Sequence, residues 1–120
     1  MMDTKELGTF GEEHAALYLK DLGYRILARN YRSRYGEIDI IAEWGEAVVF
    51  VEVKARRSYL YGEPKESIHL RKQKKLIQTA MIYLQEKQWE ERECRFDVIE
   101  VVFLPNGSIR PYHIENAFFE

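Results

Sequence analysis

The segment Gly36–Lys54 constrains the fold more strongly than any other part of the chain. It contains two apolar runs, Ile38–Ala42 and Ala47–Val53, which are separated by a short turn that includes Gly45. Short runs of β-branched and aromatic residues with a glycine between them are typical of a β-hairpin. Apolar residues occupy both faces of each run, so we expect strands that are covered on both sides.

Two acidic residues interrupt these apolar runs. A two-residue turn that begins at Gly45 places Asp39 opposite Glu52, whereas a turn one residue longer shifts this pairing by one. The strand period of two puts Lys54 on the same face as Glu52. Facing carboxylates repel each other, and an unpaired charge among apolar side chains is costly. A divalent cation between them would remove that cost, because hard cations such as Mg²⁺ favour carboxylate oxygens.

An Asp followed by Glu-x-Lys on a neighbouring strand is the residue set that a metal-dependent nuclease needs. In that interpretation Asp39 and Glu52 hold the metal, which activates water and shields the phosphate. Lys54 then orients the nucleophile or stabilises developing negative charge. The alternative is a solvated ladder of charges on a surface strand, with no ligand.

The residues of the hairpin, together with four other segments, resemble the YraN family of uncharacterised bacterial proteins. That family belongs to the restriction-endonuclease-like superfamily, whose signature is PD-(D/E)xK, and is similar to archaeal Holliday junction resolvases. The resemblance covers nearly the whole chain in the expected order. The segments that carry it are GEIDIIA (36–42), VFVEVKARR (49–57), GEEHAALYL (11–19), ARNYR (28–32), RKQKKL (71–76) and RFDVIEV (95–101).

The resemblance implies an endonuclease that depends on Mg²⁺ or Mn²⁺ and acts on DNA, plausibly branched or otherwise structured DNA. It implies Asp39 and Glu52 as metal ligands, Lys54 as a catalytic residue and Glu12 as an assisting ligand on a helix. It also implies a homodimer, because resolvases cut both arms of a junction. Judged from its position alone, Glu12 would do no more than complete a capping box that begins at Thr9.

The remaining patterns predict an α/β domain, a restriction-endonuclease-like mixed β-sheet flanked by helices in the order α-β-β-β-α-β-β. The whole chain, residues 1–120, is expected to form this single domain. Besides the hairpin, the predicted elements are a helix from Thr9 or Thr4 to Leu22, a strand over Tyr24–Tyr31, a helix over His69–Gln88, and strands over Arg95–Phe103 and Ile109–Ile114.

Seven basic residues are candidates for contacts with a phosphate backbone. Guanidinium groups bind phosphates bidentately, and the interleaved Tyr31 and Tyr35 could stack on exposed bases. Lysines in the first turns of the second helix oppose the helix dipole, which suggests a role other than helix stability. In the alternative, all of these side chains are solvated. The seven are Arg29, Arg32, Arg34, Arg56, Arg57, Lys72 and Lys74.

The net charge of −2 argues against a protein that coats nucleic acid indiscriminately. Residues 24–75 nevertheless carry twelve of the eighteen Lys and Arg residues but seven of the twenty Asp and Glu residues. Such a basic segment around an acidic site is compatible with steering of a phosphate backbone. Besides the nuclease, a nucleic-acid-binding module without turnover and a purely structural role therefore remain open.

Cys94 is the only cysteine, so an internal disulfide is excluded and a reducing compartment is favoured. The N-terminal residues lack the pattern of a signal peptide, and no apolar run approaches membrane-spanning length. We therefore expect a cytoplasmic protein. Asp97 and His113 are expected to have structural roles.

Overall fold

The computed structural model describes residues 2–57 and 69–118. It contains two helices and five strands in the predicted order, so the mixed sheet flanked by helices is confirmed. Neither helix is long and apolar enough to cross a membrane, judged over these described residues. The elements are α1 (Thr4–Leu22), β1 (Arg25–Arg32), β2 (Glu37–Trp44), β3 (Ala47–Arg57), α2 (Leu70–Lys87), β4 (Cys94–Phe103) and β5 (Ile109–Phe118).

The five strands form one sheet in the order β1-β2-β3-β4-β5. β3 and β4 run parallel, and the other three neighbouring pairs are antiparallel. Because α2 connects the two parallel strands, β3-α2-β4 is a crossover unit. The core has two parts: α1 packs on one face of the sheet and α2 on the other. β3 and β4 are therefore buried on both faces over most of their length, as their continuous apolar runs predict.

Helix α1 begins earlier than the sequence pattern at Thr9 indicates. Its N-cap is Asp3, whose carboxylate accepts a hydrogen bond from the backbone N–H of Glu6, while the Glu6 carboxylate accepts one from Asp3. The predicted capping box of Thr9 and Glu12 is therefore wrong, because the real box lies six residues upstream and leaves Glu12 inside the helix. The helix ends as predicted at Gly23, whose φ of 107° is left-handed.

Gly11 lies where α1 approaches β3 most closely. A Cβ at this position would lie 2.7 Å from the Cβ of Ala55, a rigid neighbour that cannot move aside. Gly11→Ala is expected to destabilise the protein by about 1–3 kcal/mol, because this clash exceeds the gain in helix propensity. Gly8 is the matched control, since a Cβ added there would meet nothing within 4 Å, and Gly8→Ala should stabilise. Urea unfolding of both variants checks the prediction, and a Gly11→Ala variant as stable as Gly8→Ala would contradict it.

Several boundaries and burial predictions need correction. β3 extends to Arg57 instead of ending at Lys54, because parallel pairing with β4 continues as far as Arg57. β5 extends to Phe118 instead of Ile114, and Phe118 packs in the core against Phe96. The three-to-four-residue spacing of apolar residues also places Leu22, Leu70 and Met81 on the buried faces of the helices, but all three side chains are exposed.

Asp97 of β4 links the edge strand β5 to the sheet through hydrogen bonds. It is fully buried and receives hydrogen bonds from the Arg95 guanidinium at 3.0 Å and from the backbone N–H of Asn116 at 3.1 Å. The His113 ring lies between the Asp97 carboxylate, at 2.7 Å from Nε2, and the Tyr18 hydroxyl, at 3.0 Å from Nδ1. These contacts agree with the structural roles expected for Asp97 and His113.

Candidate active site

The predicted hairpin register is confirmed from the turn to the site. Trp44 pairs with Ala47, and the paired residues continue as far as Ile40 with Val51. Beyond that pair the backbone N–H of Val53 donates its hydrogen bond, at 2.8 Å, to the Asp39 carboxylate. A side chain thus takes the place of a strand carbonyl, and the Asp39 carboxylate is held against β3.

This arrangement brings Asp39 and Glu52 together in a poorly solvated place. Burial raises the pKa of Asp39 to about 8, and the neighbouring charge of Glu52 adds to the rise. The N–H of Val53 opposes it, and the charge of Glu12 reinforces it. Without a bound cation, burial and the charge of Glu52 favour a protonated Asp39 at neutral pH.

Glu12 approaches the Asp39 carboxyl group from α1. Burial raises its pKa, whereas the Arg29 guanidinium, 3.8 Å away, acts to lower it. A hydrogen bond with Asp39 also contributes, so the two carboxyl groups are neighbours. The structure therefore places Glu12 beside Asp39, as the resemblance implies.

The face of β3 that carries Glu52 opens into a cleft of about 270 Å³. The Glu52 carboxylate is buried and forms an ion pair with the Lys72 ammonium, which extends from the first turn of α2. The predicted placement of Glu52 and Lys54 on one face is observed. The cleft is lined by Glu52, Val53, Lys54, Ala55, Arg56, Lys72 and Glu100.

The donor set fits a hard divalent cation. Mg²⁺ is usually bound by one or two carboxylates, with water and substrate phosphate completing its shell. Asp39 and Glu52 supply two such carboxylates, and burial together with the charge of Glu52 raises the pKa of Asp39. No group of three or more His, Cys, Asp or Glu side chains within residues 2–57 and 69–118 is arranged to hold a metal by itself. The site therefore suits a cation that takes its remaining ligands from water and substrate.

The seven predicted nucleic-acid contacts fall into two groups. Arg56 and Lys72 line the cleft, where they form ion pairs with Glu100 and Glu52. The others lie outside it: Arg29 bonds Glu13 at 2.7 Å, Arg32 bonds Glu37 at 3.1 Å, Arg34 bonds the Tyr35 hydroxyl at 2.9 Å, Arg57 bonds the backbone carbonyl of Met2, and Lys74 is exposed on α2.

Sequence reasoning missed the role of Glu100 in this cleft. It lies within an apolar run of β4, and its side chain is completely buried. Parallel register places it directly beside Lys54 on β3. The available signal was the unusual charge in a buried strand, but the parallel pairing that gives it a partner cannot be read from the sequence.

Comparison with known proteins identifies relatives over nearly the full chain. The model of the family described as "Uncharacterised protein family UPF0102" matches residues 11–101. A UPF0102 protein of Symbiobacterium thermophilum is 48% identical over 96% of this chain and 98% of its own length. A UPF0102 protein of Persephonella marina is 49% identical over 92% of this chain and 91% of its own length.

Among solved structures, SfsA of Pyrococcus furiosus in complex with Ca²⁺ aligns with a TM-score of 0.43 and 19% identity. The alignment covers 96% of this chain and 64% of that chain.

Proposed function

The chain belongs to the UPF0102 family, the YraN family of the resemblance, and from this premise we propose that it is a divalent-metal-dependent endonuclease. It hydrolyses phosphodiester bonds in DNA, with branched or otherwise structured DNA as the preferred substrate. The observation that carries the proposal is the contact between Asp39 and Glu52 at the edge of a cleft that also contains Lys54.

Each residue has a distinct task in this proposal. Asp39 and Glu52 would hold the cation, with Glu12 beside them, and the bound cation would supply activation of water and neutralisation of phosphate charge. Lys54 faces the same cleft and stabilises negative charge on the phosphate. The Val53 N–H keeps the Asp39 carboxylate in place, so the ligand geometry does not depend on a mobile side chain.

The test is cleavage of labelled duplex, single-stranded, flap and four-way DNA in Mg²⁺ or Mn²⁺. Glu52→Gln is expected to reduce cleavage by about 100-fold or more, because it removes one of two charged ligands. Glu43→Gln is the matched control: Glu43 lies on β2, bonds Arg92 at 2.8 Å and lies outside the cleft lining. Equal activity of the two variants, or no metal-dependent cleavage of any substrate by the wild type, would overturn the proposal.

One observation favours a nucleic-acid-binding module without turnover as the second candidate. The Lys72 ammonium already neutralises Glu52, so the described site is partly compensated without a metal. Under this alternative, Asp39→Asn should leave duplex binding unchanged in fluorescence anisotropy, and the wild type should show no cleavage that depends on a divalent cation. Cleavage by the wild type that disappears in Asp39→Asn, with binding retained, supports the nuclease.

A further inference from the structure

Glu100 is a buried acid in the cleft that the proposed chemistry does not use. Its side chain is 0% exposed, and Oε1 accepts a hydrogen bond from Nε of Arg56 at 2.6 Å. Within the described residues, Oε2 accepts no hydrogen bond. A fully buried carboxylate is costly unless its charge is compensated. The cationic neighbours of Glu100 supply that compensation.

Those neighbours are the two basic residues that follow Glu52 on the same face of β3. Parallel register places Glu100 beside Lys54, and Arg56 lies one step further along the cleft. Arg56 lines the cleft, and its side chain remains about one third exposed, with a relative accessibility of 32%. A buried anion that bonds Nε of an arginine fixes the orientation of its planar guanidinium group.

We propose that Glu100 is a positioning residue that holds Arg56 in the orientation in which it contacts a phosphate of bound DNA. This proposal rests on the proposed function for its ligand, but the contact between the two side chains can be tested without DNA. Glu100 also supplies a negative charge that balances the cleft cations when no phosphate is present. An arginine side chain that is already ordered before DNA binds loses less conformational entropy on binding, and its contribution to affinity is therefore larger.

The binding test is a double-mutant cycle measured by anisotropy of a fluorescein-labelled DNA duplex in Ca²⁺-free, EDTA-containing buffer. Arg56→Gln is expected to weaken binding by about five- to tenfold in the wild-type background, because a phosphate contact is lost. In the Glu100→Gln background the same substitution should change binding by less than about twofold, since Arg56 is no longer held. Glu100→Gln removes one negative charge from the protein. Both proteins compared within the Glu100→Gln background lack that charge, so its loss does not alter the measured effect of Arg56→Gln.

Glu43→Gln provides the matched cycle. It removes the same charge and an equivalent carboxylate–arginine pair, but outside the cleft lining. Arg56→Gln should therefore weaken binding by the same factor with or without Glu43→Gln. An equal effect of Arg56→Gln in the wild-type and Glu100→Gln backgrounds would overturn the positioning role.

The contact itself is tested by the ¹⁵N resonance of the Arg56 Nε–H group, without DNA. In the wild type we expect slow hydrogen exchange of this group, and in Glu100→Gln an exchange rate at least about tenfold higher. Equal exchange in both proteins overturns the inference. If the wild type exchanges slowly but binds no duplex, Glu100 holds Arg56 as proposed, but a DNA phosphate is not the ligand of Arg56. This outcome separates failure of the proposed function from failure of the positioning role.

Discussion

Alanine in place of Asp97 is expected to lower the free energy of unfolding by about 3–5 kcal/mol, because one partner of a buried ion pair is removed. Arg95 and the backbone N–H of Asn116 would each lose a hydrogen-bond acceptor, and the largely buried His113 would lose the carboxylate that orients it. Urea unfolding followed by circular dichroism measures the change. Since these contacts fasten β5 to the sheet, hydrogen exchange in β5 should rise more than exchange in β2.

Glu115→Ala is the control for this prediction. Glu115 lies 3.9 Å from Arg95 at the exposed margin of the same cluster, so its removal should cost less than about 1 kcal/mol. Burial acts to raise the pKa of Asp97, but bonds from His113 and Arg95 outweigh it and lower the pKa below its ordinary value. The stability that Asp97 contributes is therefore present at neutral pH and lost as the pH falls below about 4. An Asp97→Ala variant with wild-type stability at pH 7 would contradict this account.

Asparagine in place of Asp39 is expected to stabilise the metal-free protein above pH 8 by about 2–4 kcal/mol. Burial and the charge of Glu52 raise the pKa of Asp39 in the folded protein to about 8, whereas the unfolded chain has a value near 3.8. Between these values the unfolded state releases a proton that the folded state keeps. Wild-type stability should therefore fall as the pH rises from about 4 to 8, and the Asp39→Asn variant should lack this decline.

Thermal unfolding at pH 5 and pH 9, in EDTA and in Mn²⁺, measures both parts of this prediction. Mn²⁺ should raise the melting temperature of the wild type at pH 8 and leave that of Asp39→Asn unchanged, because a ligand stabilises only the state that binds it. Glu43→Gln, on the same strand but outside the cleft lining, should behave like the wild type. A wild-type stability that does not decline above pH 5 would refute the electrostatic description of the site.

The sequence contained enough information for the element order and for the hairpin register as far as Ile40 with Val51, which brings Asp39 close to Glu52. Both depend on local signals: apolar runs of strand length, and a tight turn at Gly45 that determines the register of the strands it joins. The family resemblance added Glu12, which lies on a distant helix and has no local signal of its own. Of the two predicted starts of α1, Thr4 is correct and Thr9 is not, because patterns at Asp3 and at Thr9 both match a capping box and the sequence alone does not choose between them.

The parts of the site that could not be predicted depend on tertiary pairing. Glu100 meets Lys54 and Arg56 only because β3 and β4 are parallel neighbours, and parallel register is not set by any turn. Lys72 forms an ion pair with Glu52 because of the way α2 packs on the sheet. The sequence alone does not distinguish Lys72 from the other basic residues at the start of the helix. The glycine and proline that follow Lys54 also predict a loop over residues 55–64; residues 55–57 belong instead to β3, and residues 58–64 lie outside the described residues.

The crossover between β3 and β4 has a consequence for the order in which the cleft can form during synthesis. The hairpin with Asp39 and Glu52 leaves the ribosome before α2, and Glu100 follows only after that helix is complete. Until β4 is added, β3 lacks its parallel neighbour and Arg56 lacks the carboxylate that holds it. A nascent chain that already displays both hairpin carboxylates therefore still lacks the assembled cleft until β4 has emerged and paired with β3.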